Sequence, residues 1–221
     1  MDLNEAIKAR RSIRGFLPKP VPISVLKDVL ELAARAPSGV NTQPWEVAVL
    51  GGEAMKKVGE AMLEAGRSGV VPEPELNPFP FPEPYFSRQR DVGYRLYEVL
   101  GIERSDKVAR QAWALRGLNF FDAPNGVVVY LDQCLNDFSL FDVGLFCQTF
   151  MLVSTAYGLG TCPEGAAVQY PWILRDILGI PETKKLVCGI AVGYPDMEHP
   201  ANKLQTPRLP LEEFVQWHGF D

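Results

Sequence analysis

The chain has 221 residues, with 22 Lys plus Arg against 27 Asp plus Glu and a formal net charge of −5. That balance disfavours a general nucleic-acid or acidic-membrane binder. With 47% hydrophobic and 22% charged residues, the composition is that of an ordinary globular protein, with length for one large domain or two small ones. No basic segment precedes an apolar one at the start, and no apolar run approaches the ~20 residues that span a bilayer, so a cytoplasmic protein is expected. Cys134, Cys147, Cys162 and Cys188 are scattered without C-x-x-C spacing and read as reduced core thiols. His199 and His218 have no His or Cys partner at ligand spacing, so no transition-metal site is expected.

In chain order, Asp2 with Glu5 forms a capping box, and Leu3, Ala6 and Ile7 give the first helix an apolar stripe. Pro18 to Pro22 break the chain, Ser24 is placed to cap a second helix, and Val25, Leu26, Val29, Leu30 and Ala33 repeat at helical spacing before Pro37. Trp45 to Leu50 suits a buried strand, and Gly51-Gly52 leads into an amphipathic surface helix from Glu53 to about Gly66.

Residues 71–84 carry Pro72, Pro74, Pro78, Pro80, Pro82 and Pro84 with Phe79 and Phe81 between them and Tyr85 following. Such a composition cannot form regular hydrogen-bonded structure, which leaves an ordered arm, a lid or an inter-domain linker; the aromatics argue for packing against something. Arg88 to Leu100 and Ser105 to Asn119 read as helices broken at Gly101, and Gly126 to Leu131 as a buried strand. Phe138 to Tyr157 is apolar on nearly every face, which predicts a helix buried all round, in the core and in part at a subunit interface. Gly158 ends it. Thr161-Cys162-Pro163 is a short extended piece, Trp172 to Leu178 another helix, and Leu186 to Val192 a last core strand.

The chemistry sits in four segments. Arg10-Arg11-Ser12-Ile13-Arg14 places three guanidiniums and a hydroxyl at the end of the first helix, either a phosphate socket or a solvated basic helix end. Ala36-Pro37-Ser38-Gly39-Val40-Asn41-Thr42-Gln43-Pro44-Trp45 packs small, amide and hydroxyl groups between a helix end and a strand, suited to close approach of backbone to a flat polar ligand. Pro163-Glu164-Gly165 follows the apolar helix, and Asn202 to Arg208 supplies a further cationic patch. A G-x-S-x-G elbow, a Walker A loop and a G-x-G-x-x-G turn are missing, so an enzyme of this sequence would draw its hard step from an organic cofactor.

In this order and spacing the segments resemble the nitroreductase family of FMN-dependent flavoproteins, over essentially the whole chain. The resemblance implies an α+β fold, a mixed sheet flanked by helices in a three-layer sandwich, in a single domain over residues 1–221 with an arm or lid at about 71–90, and an intertwined homodimer with FMN at the interface. Carried over residue by residue, Arg10, Arg11, Ser12 and Arg14 would contact FMN, with Arg208 on the phosphate side. Pro37, Ser38 and Asn41 would reach the flavin from the second subunit, with Gln43 in the same segment. Pro163, Glu164 and Gly165 would line the ring, a backbone N–H there addressing N5. Relatives commonly carry a basic residue shortly before the last arginine where this chain has Gln205-Thr206, and Lys203 is the substitute at hand. The implied reaction passes two electrons from NAD(P)H to nitroaromatic or quinone acceptors in a ping-pong cycle, with no catalytic side chain required and no metal. Tyr85 and Phe81 are the expected pocket wall. A flavin-binding module without turnover, or a reductive dehalogenase or flavin-cleaving member, are the alternatives.

Overall fold

Strand periodicity sets the centre of the molecule. In the computed structural model, which describes residues 1–77 and 79–220, four strands form one sheet: β1 (Glu46–Gly51), β2 (Asn125–Asp132), β3 (Gly160–Glu164) and β4 (Lys184–Gly193), ordered β1-β2-β4-β3. All three ladders are antiparallel. The parallel component of the expected mixed sheet is a single bridge, Ser12 with Thr161, at the outer edge of β3.

Among the described residues seven α-helices accompany the sheet: α1 (Leu3–Ala9), α2 (Ile23–Ala33), α3 (Gly52–Arg67), α4 (Tyr85–Val99), α5 (Lys107–Leu118), α6 (Phe138–Ala156) and α7 (Pro171–Leu178). Because successive side chains of a strand point to opposite faces, Val127, Val129 and Leu131 of β2 join Ile190 and Val192 in a core capped by α2 and α6. Val128, with Leu186 and Ala191, joins a second core capped by α3, α5 and α7. Helix, sheet and helix thus make three layers. Each large side chain sealed there, such as Phe150 or Leu174, contributes about 1.5–3 kcal/mol.

Local signals set several helix ends. The Asp2–Glu5 capping box is present, Asp2 Oδ1 accepting from the Glu5 N–H at 2.9 Å and Glu5 Oε2 from the Asp2 N–H at 3.1 Å. Ser24 is not a cap: α2 begins one residue earlier, behind Pro22, whose fixed φ of −59° already suits the entry. Of the burial expected for α6, partly in the core and partly at a subunit interface, the single chain supplies the core part. One face carries Phe146, Phe150 and the buried polar residues Asp142 and Ser154, whereas Phe138 and Phe141 are 65% and 60% exposed. At 19 residues α6 is long and apolar enough to cross a bilayer by length and composition, contrary to the expectation that no run approaches that length; its packing on the sheet is that of a core helix.

Among its described residues the proline-rich segment has no regular structure up to Pro84, but α4 takes over at Tyr85, so the last residues of the expected 71–90 arm are helical. Pro78 lies outside the described residues, as does Asp221. The arm is fastened by Glu75, which accepts from Arg175 Nη2 at 2.6 Å and from the Leu186 N–H at 2.5 Å, and by the Glu73 N–H donating to the Gln169 carbonyl at 2.9 Å. Its aromatics do not dock on the core: Phe79 and Phe81 meet edge to face at 5.3 Å and stay exposed. All four cysteines are free, but Cys134 is exposed, a correction to its reading as a core thiol.

Candidate functional site

Residues 10–16 leave α1 in extended form along β3. The Ile13 N–H donates to the Thr161 carbonyl at 2.9 Å, and Phe16 bridges Pro195. Close approach here needs Gly160, since a Cβ at that position would lie 2.8 Å from Ile13 Cγ1. From the other side Asn202, 1% exposed, clamps the segment: its Oδ1 accepts from the Arg14 N–H at 2.7 Å, and its Nδ2 donates to the carbonyls of Gly15 and Asp196 at 2.8 and 2.7 Å. So fixed, Arg10 and Arg11 line a cavity of about 620 Å³ with Lys8, Gln205, Thr206 and Arg208. Among the described residues no carboxylate lines it. Among the described residues Arg208 is engaged only with Thr206 and the Pro207 carbonyl, and neither Arg10, Arg11 nor Arg208 forms a salt bridge. Guanidinium forks converging without an internal anion match the oxygens of a phosphate.

Two residues beyond the Ser12–Thr161 bridge, the turn Pro163-Glu164-Gly165 borders a second, open cavity of about 450 Å³, lined also by Leu76, Asn77, Val187 and Cys188. Gly165 is exposed and a Cβ there would meet nothing within 4 Å, so the turn leaves a cradle that the chain itself does not fill. Glu164 is half-buried as a residue, but both its carboxyl oxygens are sealed from solvent without a hydrogen-bond partner. Burial holds its carboxyl well above the usual range, the nearby Arg14 opposing only in part. Arg14 lies over the ring of Phe121, 5.8 Å from its centroid, and Phe121 sits in a turn whose three residues, Phe120 to Asp122, all have left-handed φ (50°, 52° and 60°). Burial pushes the Cys162 thiol up to about 12, which makes it an inert core group.

The 37–44 segment is elsewhere. Pro37, Asn41 and Gln43 are exposed, and Val40, Asn41 and Gln43 have φ of 44°, 62° and 49°. This left-handed path is held by Ser38 Oγ accepting from the Gln43 N–H at 2.9 Å and by Asp142 of α6 accepting from the Gly39 N–H at 3.1 Å. The loop feeds β1, and β1 and β3 are the opposite outer strands of the sheet, roughly 14 Å apart at ordinary strand spacing. A single chain therefore gathers Arg10, Arg11, Ser12, Arg14, Pro163, Glu164, Gly165 and Arg208 at the β3 edge but leaves Pro37, Ser38, Asn41 and Gln43 at the other.

Tyr85 and Phe81 are exposed and line neither cavity; Leu76 and Asn77 of the same arm do. Lys203 is not in the cationic cavity, where Lys8 stands instead. The signal for Lys8 was its place in the last turn of the helix that delivers the arginines.

Fold and site define an α/β/α sandwich with a cationic socket and an open turn side by side on one edge strand. The chain belongs to the nitroreductase family, whose family model matches residues 7–194. It is 39% identical over 217 residues to the chloronitrobenzene nitroreductase of Comamonas testosteroni, covering 96% of this chain and 95% of that one. Among solved structures, the FMN and NADPH-dependent nitroreductase NfnB from sphigopyxis sp. strain HMH superposes with a TM-score of 0.95 at 33% identity, covering 100% of both chains. The FMN-dependent nitroreductase NfnB from Mycobacterium smegmatis, in complex with NADPH, gives 0.89 at 35% identity, covering 98% of this chain and 100% of that one.

Proposed function

We propose that this chain is an FMN-dependent NAD(P)H nitroreductase that works in the cytoplasm as a homodimer, the whole chain acting as one domain. The observation that carries the reading is the four-cation cavity beside the unfilled Pro163–Gly165 cradle. The donor set fits the cofactor: Lys8, Arg10, Arg11 and Arg208 would hold the phosphate, Ser12 and Arg14 the polar edge between, and Pro163, Glu164 and Gly165 one face of the ring. When bound, FMN supplies the two-electron relay between NAD(P)H and a nitroaromatic or quinone acceptor, which occupy one pocket in turn. The protein's own part is electrostatic and steric. The guanidiniums would favour negative charge on the cofactor, burial disfavours an opposing charge on Glu164, and the turn would present the backbone N–H of Glu164 or Gly165 to the ring. Relatives named for FMN, NADPH and nitroarenes support the reading.

Pro37, Ser38, Asn41 and Gln43, at the opposite sheet edge, would complete the site of a second subunit, and the arm at 71–90 would wall its mouth. In the test, purified protein is loaded with FMN and treated anaerobically with NAD(P)H. Bleaching of the yellow colour, and its return on adding a nitroarene, is expected. Arg10→Ala or Arg208→Ala should weaken FMN binding about tenfold or more, since a charge-assisted contact is worth roughly 1.5–3 kcal/mol. A protein that takes up no FMN, or wild-type FMN affinity in both variants, would overturn the assignment.

A further inference from the structure

Away from both cavities, the helix pair that follows the arm carries a third. α4 buries none of its residues, yet Arg90, Tyr94, Tyr97 and Glu98 on it face Arg104 in the connection and Arg110 on α5 across a groove of about 440 Å³. Gly93 lies between them, and a Cβ there would meet nothing within 4 Å, so the floor is open. The cations are arranged on rings: Arg104 over Tyr94 at 5.3 Å and Arg110 over Tyr97 at 5.2 Å. Three guanidiniums face one carboxylate, and among the described residues none of the three forms a salt bridge. Arg110 donates through Nη1 to the Arg104 carbonyl at 3.2 Å, while its Nε is sealed from solvent without a partner. Surface helices ordinarily pair their charges. Like charges gathered on flat rings with an unsatisfied donor favour a ligand that supplies an anion next to a flat ring.

The groove also has a fixed relation to the flavin side. Gly117 of α5 lies against Glu164, a Cβ there falling 3.2 Å from Glu164 Oε2. Arg110 is seven residues earlier on the same helix, about 10 Å along its axis. A dinucleotide with one ring at the 163–165 turn would span such a distance through its pyrophosphate. We propose that the Arg90–Arg104–Arg110 groove binds the adenosine 2′-phosphate end of NADPH, and so makes the enzyme prefer NADPH over NADH. The inference rests on the reading above that the turn faces the flavin.

The same chemistry, an anion beside a flat ring, describes a carboxylated nitroarene, and calorimetry separates the two. FMN-loaded wild type, Arg104→Ala and Arg110→Gln are titrated with adenosine 2′,5′-bisphosphate, adenosine 5′-monophosphate and 4-nitrobenzoate. Arg104 is exposed, so its truncation does not threaten the fold. The bisphosphate is expected to bind wild type, to exceed the monophosphate, and to bind both variants about tenfold more weakly, the loss of one charge-assisted contact. The NADPH to NADH ratio of kcat/KM should fall by a similar factor. Equal binding of the two nucleotides, an unchanged affinity in Arg104→Ala, or a variant-sensitive site for 4-nitrobenzoate alone would overturn the proposal. Calorimetry needs no turnover, so a protein that fails to bleach overturns the reductase reading while the titration still judges the groove.

Discussion

A carboxyl group whose two oxygens are sealed from water without a hydrogen-bond partner is at its most stable protonated, and Glu164 is placed in that way. Between the ordinary value of 4.5 and its raised folded value, the native state binds a proton that the unfolded chain has released. Stability should therefore fall as pH rises through that window and level off above the folded value. Glu164→Gln keeps the neutral shape and removes the titration. Its melting temperature should track wild type near pH 4 and exceed it by a margin that widens toward pH 8 in scanning calorimetry. A constant margin would mean that Glu164 is charged in the native protein. None of this can be read from Pro163-Glu164-Gly165 as a motif, because the burial comes from α5, packed by Gly117. The arginine run was legible as either an anion socket or a solvated helix end because its residues are adjacent, and of the five Arg10 and Arg11 line the cationic cavity. Asn202 as the run's clamp was not legible, because that contact spans 188 positions.

At the scale of elements, the socket exists because an extended segment lies on an edge strand, and two glycines test this separately. Gly160→Ala would drive a methyl into Ile13, with three of its atoms 2.8–2.9 Å away, and lift residues 10–14 off β3. A cost of about 1–3 kcal/mol in stability is expected, with weaker FMN binding. Gly165→Ala meets open space, so urea unfolding should be nearly unchanged while FMN binding weakens. If Gly160→Ala binds FMN like wild type, the segment's seat on β3 is not what positions the arginines. The sequence foretold elements whose signals are local: the capping box of α1, the stripe of α2, and the apolar run of β2. It placed α6 partly in the core and partly at a subunit interface, and one chain bears on the core half alone, where Phe146 and Phe150 are buried. It misjudged the arm, where aromatics expected to dock pair with each other while a carboxylate, Glu75, does the fastening.

At the scale of the whole molecule, the described chain leaves two features without a counterpart. Phe138 and Phe141 of α6 pack together at 5.8 Å, largely exposed, and Leu3 and Ile7 of α1, a helix packed on α6, are exposed as well. Covering each such ring is worth about 1.5–3 kcal/mol. The 37–44 loop, meanwhile, keeps three residues other than glycine in left-handed backbone at the edge opposite the cationic socket, an expense usually met where a ligand or partner uses the shape. A two-fold dimer across α6 would answer both, since it would bury the aromatic face and bring each loop toward the other chain's β3 edge. Sedimentation velocity should then give a species of twice 24.6 kDa. Phe141→Asp, at an exposed position that spares the core, should shift it to the single-chain mass and lose FMN while Arg10 and Arg208 remain intact. A wild-type monomer would exclude the dimer. A Phe141→Asp monomer that holds FMN as tightly as wild type would show that one chain suffices, and the strained loop would then need another explanation.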